Sequence, residues 1–294
     1  YSTAAFTSAQ HMNRGSGLAQ GFQTYNTPQS GSIKDHKLVE RKAESTTNSS
    51  IKWLNENHLK KFFLWIHYFD PHANYNPPPE FNIFNGGRDF REEQIALYDG
   101  EIRYVDHEIG RLISSLKEKG VWEDTVFIVT SDHGEGLGEH GSFREHGDVL
   151  YEEQIKIPLL MHINGVSYRS NKLTQNMQLS PTILKILSIK NDNITEGHLL
   201  DNRAPEALIF ESDRCVRPEI NNNNCFPNND ISGKLISVRK GGYKYVMTPQ
   251  KNSVKEELYD LSKDPGERRD ISQNDSLMET LYDLRREMSL VEEM

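Results

Sequence analysis

The stretch Thr125-Val-Phe-Ile-Val-Thr-Ser-Asp-His-Gly-Glu-Gly-Leu-Gly-Glu-His-Gly141 limits what this chain can fold into more than any other. Val126 to Val129 is a short apolar run rich in β-branched residues, and it predicts a strand buried on both faces of a parallel sheet. Asp132 and His133 follow at its carboxyl end, and then four glycines in eight residues: Gly134, Gly136, Gly138 and Gly141. Glycine lets the backbone pass close to a ligand. Open α/β sheets bind ligands outside the carboxyl ends of their strands. A carboxylate beside an imidazole in that place is a candidate metal pair. The competing reading makes Asp132 a helix N-cap and His133 a surface residue.

The flanking sequence supplies the other layers of such a fold. A short strand spans Tyr1 to Phe6, and Phe62-Phe-Leu-Trp-Ile66 predicts a second buried strand. That strand leads into His67-Tyr-Phe-Asp-Pro-His-Ala-Asn-Tyr-Asn-Pro-Pro-Pro79, where the prolines exclude helix and stiffen the loop. Residues 35–58 read as a polar amphipathic helix with Ile51, Leu54 and Trp53 inward. Asp89 and Glu92 make a capping box. The helix they open carries Ile95, Tyr98, Ile102, Val105, Ile109, Leu112 and Leu116 on one stripe and ends at Gly120. Ile157 to Met161 is a further strand, and Ser180-Pro181 starts a helix.

From about Ala204 the pattern changes. Leu208 to Phe210 is a strand, and Lys234–Arg239 and Tyr243–Met247 make a hairpin across Gly241-Gly242. Asp264-Pro265-Gly266 is a turn, and a helix around Leu277–Val291 closes the chain. The expectation is an α/β domain with a mostly parallel sheet flanked by helices over residues 1–203. A small antiparallel C-terminal α+β subdomain, with hairpin and terminal helix, is expected over 204–294.

The net charge of -9, with no basic stretch to offset it, argues against general nucleic-acid binding. No window reaches the apolar length of a membrane helix. Cys215 and Cys225 would close a small disulfide loop or stay as two thiols; their spacing does not make a zinc site.

Ser131-Asp-His-Gly-Glu-Gly-Leu-Gly-Glu-His-Gly141, followed by Leu150-Tyr-Glu-Glu153 and Ile157-Pro-Leu-Leu160, resembles the metal-binding region of the sulfatases. That family belongs to the alkaline phosphatase superfamily. Leu258-Tyr-Asp-Leu-Ser-Lys-Asp-Pro-Gly-Glu267 resembles its C-terminal signature, and Tyr98-Asp-Gly-Glu-Ile-Arg-Tyr-Val-Asp106 resembles the helix before its metal strand. The resemblance implies an alkaline-phosphatase-like fold and a periplasmic or secreted location. It implies metal-dependent hydrolysis of a sulfated carbohydrate or related small sulfate ester, with Asp132 and His133 as metal ligands. Family resemblance puts Ca2+ first, while the histidine pulls toward Zn2+ or Mn2+.

Other site residues follow from the same resemblance. His72, in Asp-Pro-His, is similar to the histidine that contacts the sulfate or leaving oxygen; His67 is as readily structural. His146 stands near a position where many sulfatases carry a lysine, which implies a general acid. His140 either orients a ligand or is a structural loop histidine. Arg144 contacts an anionic substrate or is solvated. Ser8 and Gln10 stand where many sulfatases carry a lysine and a histidine; they would bond an oxyanion without bringing charge, or serve as ordinary loop residues. Tyr259 and Leu261 are expected to pack.

Tyr1-Ser-Thr-Ala-Ala-Phe6 resembles a strand well inside sulfatase domains, so the sequence reads as a fragment. The nucleophile, a Cys or Ser oxidised to formylglycine, and two metal-binding aspartates are expected upstream. Neither cysteine here lies in a Cys-x-Pro-x-Arg context. Two alternatives stay open: a phosphoryl-transfer member of the superfamily (phosphodiesterase, phosphonate monoester hydrolase or phosphoethanolamine transferase), and a non-catalytic binding relative. The sequence does not set an oligomeric state.

Overall fold

The computed structural model describes residues 1–28, 39–83, 89–168, 172–190, 205–213, 231 and 233–292. Cys215, Cys225, the Asn221–Asn224 loop and the expected boundary at 203/204 lie outside the described residues. The chain forms two compact units, Tyr1–Phe127 with His162–Ser167, and Ile128–Met161 with Tyr168–Met294.

The first unit contains β1 (Ser2–Thr7), β2 (Thr24–Asn26), α1 (Ala43–Asn57), β3 (Phe62–His67) and α2 (Phe90–Glu118). The strands lie in the order β2-β1-β3, and both pairings are parallel, as the α/β expectation requires. Alternation in β3 divides its side chains between two faces. Phe62, Leu64 and Ile66 pack on Leu54 of α1 and on Leu112 and Leu116 of α2, while the Phe63 and Trp65 rings lie near Phe22. Asp89 caps α2 by accepting the Glu92 N–H at 2.9 Å, and Gly120 follows its end at φ 67.

The face that α2 buries differs from the expected stripe. Gln94, Gly100, Glu101, Tyr104, Glu108, Leu112, Ser115 and Leu116 are buried, and Ile102 is exposed. Hydrophobic periodicity assumes that acids face water. Here Glu101 pairs with Lys42 and Glu108 with Arg111, so two carboxylates go inside and the buried face turns toward them.

Beyond α2 lie β4 (Phe127–Thr130), β5 (Gly136–Leu137), β6 (Phe143–Glu145), α3 (Glu152–Ile155), β7 (Leu159–Ile163), β8 (Val166–Tyr168) and α4 (Leu179–Ile186). Strand β4 lies at the end of a three-stranded sheet, β4-β7-β8. Phe127, Ile128 and Val129 are half-buried rather than buried on both faces, because among the described residues β4 bonds to one strand only.

The C-terminal part is an antiparallel sheet in the order β12-β11-β10-β9, built from β9 (Ala207–Ser212), β10 (Leu235–Lys240), β11 (Tyr243–Pro249) and β12 (Val254–Asp260). Gly241, at φ 60, makes the expected β10–β11 turn. Val238, Tyr245 and Leu258 from the sheet close over Leu281 and Leu284 of α5 (Met278–Glu292), forming the core.

Candidate active site

In the second unit the turn after β4 is held against α3 by two backbone hydrogen bonds. Gly134 N–H donates to the Gln154 carbonyl at 2.8 Å, and Glu135 N–H to the Glu153 carbonyl at 2.9 Å. A Cβ on Gly134 would lie 2.1 Å from the Glu153 oxygen, so only glycine permits this approach. The contact fixes the backbone immediately after Asp132 and His133. Ser131 Oγ donates to the His133 carbonyl at 2.6 Å, which tightens the same turn.

Asp132 and His133 are neighbours in space as well as in sequence. His133 Nδ1 donates to the Gly134 carbonyl at 2.8 Å, so Nδ1 carries a proton and Nε2 is the nitrogen that the neutral ring offers to a ligand. That Nε2 lies 3.7 Å from Asp132 Oδ2, and the Asp132 side chain is 82% exposed. A carboxylate oxygen and an imidazole nitrogen thus present two donors at one point, with the tautomer set for ligation. Among the described residues no group of three or more His, Cys, Asp or Glu could hold a metal ion. The pair fits part of a divalent-cation shell and does not complete one.

His146 lies flat on His133, with ring centroids 3.8 Å apart and planes 14° apart. Its Nδ1 is 4.0 Å from the buried Glu135 carboxylate. Gln154 holds the loop that carries it. The buried amide donates to Ser142 Oγ (2.8 Å), Asp148 Oδ1 (2.7 Å) and the Glu145 carbonyl (3.2 Å), and its oxygen accepts from Gly147 N–H (2.7 Å). Arg144 lies on this loop at φ 58 and is half-buried.

His140 is structural here. Its Nδ1 meets Glu153 Oε1 at 2.7 Å and its Nε2 the Glu267 carbonyl at 2.9 Å. An ionised carboxylate and a carbonyl only accept, so both ring nitrogens carry protons. Burial disfavours that charge, but Glu153 and the Glu267 carbonyl outweigh it and raise the pKa. Glu267 Oε2 also accepts the Glu152 N–H at the start of α3 (2.5 Å), and Glu267 Oε1 pairs with the wholly buried Lys244 at 2.8 Å. Tyr259 packs with Val149, Tyr151 and Val246, and Leu261 lies against that cluster.

The first unit holds the remaining candidates. His72 stacks on Phe69, centroids 4.3 Å apart, and its Nδ1 bonds the Ala73 carbonyl at 2.7 Å. His11 approaches the same Phe69 edge-on at 5.3 Å; sequence reasoning passed over it because only the fold puts it there. Ser8 is fully buried, and its hydroxyl bonds Thr46 at 2.7 Å. Gln10 Oε1 accepts the Val39 N–H at 3.2 Å.

A family model described as Sulfatase matches residues 1–189, and one described as N-sulphoglucosamine sulphohydrolase, C-terminal, matches 138–294. The chain belongs to the sulfatase family. This sulfatase-family chain is 26% identical over 278 residues to an arylsulfatase of Clostridium perfringens, covering 81% of this chain and 55% of that protein. It spans about half the length of the curated relatives it matches. Among solved structures, a protein in complex with its substrate D-glucosamine-2-N,6-O-disulfate superposes with a TM-score of 0.75 at 18% identity, over 100% of this chain and 79% of that one. The phosphonate monoester hydrolase of Agrobacterium radiobacter superposes at 0.70 with 19% identity, over 98% and 78%. These likenesses establish the alkaline-phosphatase-like α/β fold of a sulfatase.

Proposed function

We propose that the complete protein is a metal-dependent sulfuric ester hydrolase acting on a sulfated carbohydrate or a related small sulfate ester. The observation that carries the reading is the Asp132–His133 pair, with His133 Nε2 directed to the carboxylate and its other nitrogen committed to a backbone carbonyl. Asp132 and His133 would hold a divalent cation, Ca2+ first and Zn2+ or Mn2+ as alternatives. When bound, such an ion polarises the sulfate oxygens as a Lewis acid. The covalent nucleophile, a formylglycine, would come from sequence outside this chain.

His146 would give a proton to the leaving oxygen, and His72 would bond the sulfate or that oxygen. Gln154 and Ser142 keep the His146 loop in place. Arg144 and Gln10 would serve as supplementary substrate contacts. We assign Ser8 to positioning, because its hydroxyl is enclosed and bonded to Thr46. A periplasmic or secreted location suits such a substrate.

A second reading, a phosphoryl-transfer hydrolase of the same superfamily, is kept because phosphonate monoester hydrolases are among the structural neighbours. The test is direct competition: the complete protein is offered a sulfated monosaccharide, an aryl sulfate and an aryl phosphonate monoester, and kcat/KM is measured for each. Higher kcat/KM on the sulfates supports the proposal. Higher kcat/KM on the phosphonate replaces it with the second reading.

A further inference from the structure

The loop that carries His72 is held at both ends by one group of charges in the first unit. Two residues before His72, Asp70 Oδ1 accepts the Ala43 N–H at the start of α1 at 3.2 Å. Four residues after it, Asn76 N–H donates to Glu101 Oε1 of α2 at 2.9 Å. Lys42 joins the two anchors: its Nζ lies 3.8 Å from Asp70 Oδ1 and 3.3 Å from Glu101 Oε1, and it donates to the Asn76 carbonyl at 2.8 Å. The side chains of Asp70 and Glu101 are each 1% exposed. Next to Glu101, Gly100 lets the following loop lie on the helix: a Cβ there would be 2.8 Å from the Phe81 carbonyl and 2.9 Å from Pro77.

Burying two carboxylates against one half-exposed ammonium costs free energy, and apolar residues of the same volume are often at least as stable. The cluster is therefore poorly explained as a stability device. What it does supply is directional: three hydrogen bonds onto the loop backbone and the first turn of α1, from Lys42 just before α1, Glu101 on α2 and Asp70 on the loop itself. Within the loop, the His72 N–H bonds the Phe69 carbonyl at 3.0 Å and the ring stacks on Phe69, so fixing the loop fixes the imidazole.

We propose that Lys42, Asp70 and Glu101 are positioning residues for His72, a three-residue latch that sets where its imidazole points. The proposal rests on the reading of His72 as a substrate contact, but its geometry can be tested without substrate. The signals of the His72 ring and the amide exchange of His72 and Asn76 are followed by NMR. The variants are Glu101→Ala, Glu101→Gln, Lys42→Met and, as a core control away from the latch, Leu54→Ala.

Glu101→Ala and Lys42→Met should each move the His72 ring signals away from their stacked values and speed exchange at His72 and Asn76 roughly tenfold to a hundredfold, the loss of a hydrogen bond to a charged group. Glu101→Gln should recover most of the wild-type signals, since its amide oxygen still accepts from Asn76. Leu54→Ala should lower stability and leave the His72 ring signals in place. Lys42 is 48% exposed on its side chain, so Lys42→Met keeps the test available if Glu101→Ala does not fold. Unchanged His72 signals in Lys42→Met, or equal movement in Leu54→Ala, overturn the proposal. In the complete protein, Glu101→Ala should reduce kcat in the wild-type background and add nothing in a His72→Gln background. If His72→Gln costs no activity, the functional reading of His72 fails while the NMR result still judges the latch.

Discussion

His133 and His146 are stacked face to face, 3.8 Å between ring centroids, although they stand thirteen positions apart in sequence. The stack comes from two independent restraints on α3. The backbone of α3 takes the Gly134–Glu135 turn, and the Gln154 side chain takes the 142–149 loop. One short helix therefore sets the candidate metal ligand and the candidate proton donor at once.

If His146 protonates the leaving oxygen, its loss should scale with how much the leaving group needs a proton. An aryl oxide leaves readily, whereas a sugar or alkyl oxide does not. His146→Ala should lower kcat on a sugar sulfate by roughly 10²–10⁴-fold and on an activated aryl sulfate by much less. Parallel rates on the two substrates at one pH check this, and equal losses would reduce His146 to a binding or structural residue.

Gly134→Ala should be costly despite its size. The new methyl would meet the Glu153 carbonyl, which is backbone and cannot swing aside. Overpacking of this kind costs about 1–3 kcal/mol. Urea unfolding should show that loss, and the His133 ring signal should move, whereas Gly110→Ala, with open space at its Cβ, should do neither.

Glu267 ties the C-terminal sheet to the site through Lys244, the Glu152 N–H and His140. Removing one partner of a buried pair costs about 3–5 kcal/mol when the other charge is left stranded; here Glu152 stays 3.3 Å from Lys244, so a smaller loss is expected. Glu267→Ala should show that loss in urea unfolding. The double variant Lys244→Met/Glu267→Met should be less destabilised than the single, because no buried ammonium is then left with Glu152 as its remaining carboxylate.

Burial raises the Glu101 carboxyl to about 7, against the Asn76 N–H and Lys42, which lower it; Asp70 raises it further. A folded pKa above the unfolded value of 4.5 gives stability that is full below that value and lost as pH rises through about 7. Wild type measured against Glu101→Gln should therefore lose relative stability between about pH 4.5 and 7. A relative gain over that window would mean that Glu101 is charged and well paired throughout.

Much of the fold was legible because its signals are local. The apolar run Phe62–Ile66, the Gly241-Gly242 turn and the Asp89 cap each depend on residues a few places apart and each element forms there, although the Phe62–Ile66 strand is half-buried, with Phe63 exposed, rather than buried. The buried face of α2 was not legible, since Glu101 is drawn inside by Lys42, 59 residues away. The packing roles expected of Tyr259 and Leu261 followed from their apolar setting in the C-terminal signature. Asp132 and His133 stand out as a candidate pair in the sequence by their adjacency after a strand. Gln154 does not, because nothing in a glutamine announces that its amide will bridge five backbone and side-chain partners. His140 bonds a residue 127 positions away, a contact that no local pattern encodes.

If Asp132 and His133 hold a catalytic cation, metal and turnover should be lost together, and both can be measured in one sample. Wild-type complete protein and Asp132→Ala are purified together, their divalent-cation content is determined by mass spectrometry, and sulfate release from a sulfated monosaccharide is followed. Asp132→Ala should lose the ion and the activity together, while His140→Ala should lose less activity than Asp132→Ala. Wild-type metal content with a wild-type rate in Asp132→Ala would contradict the account.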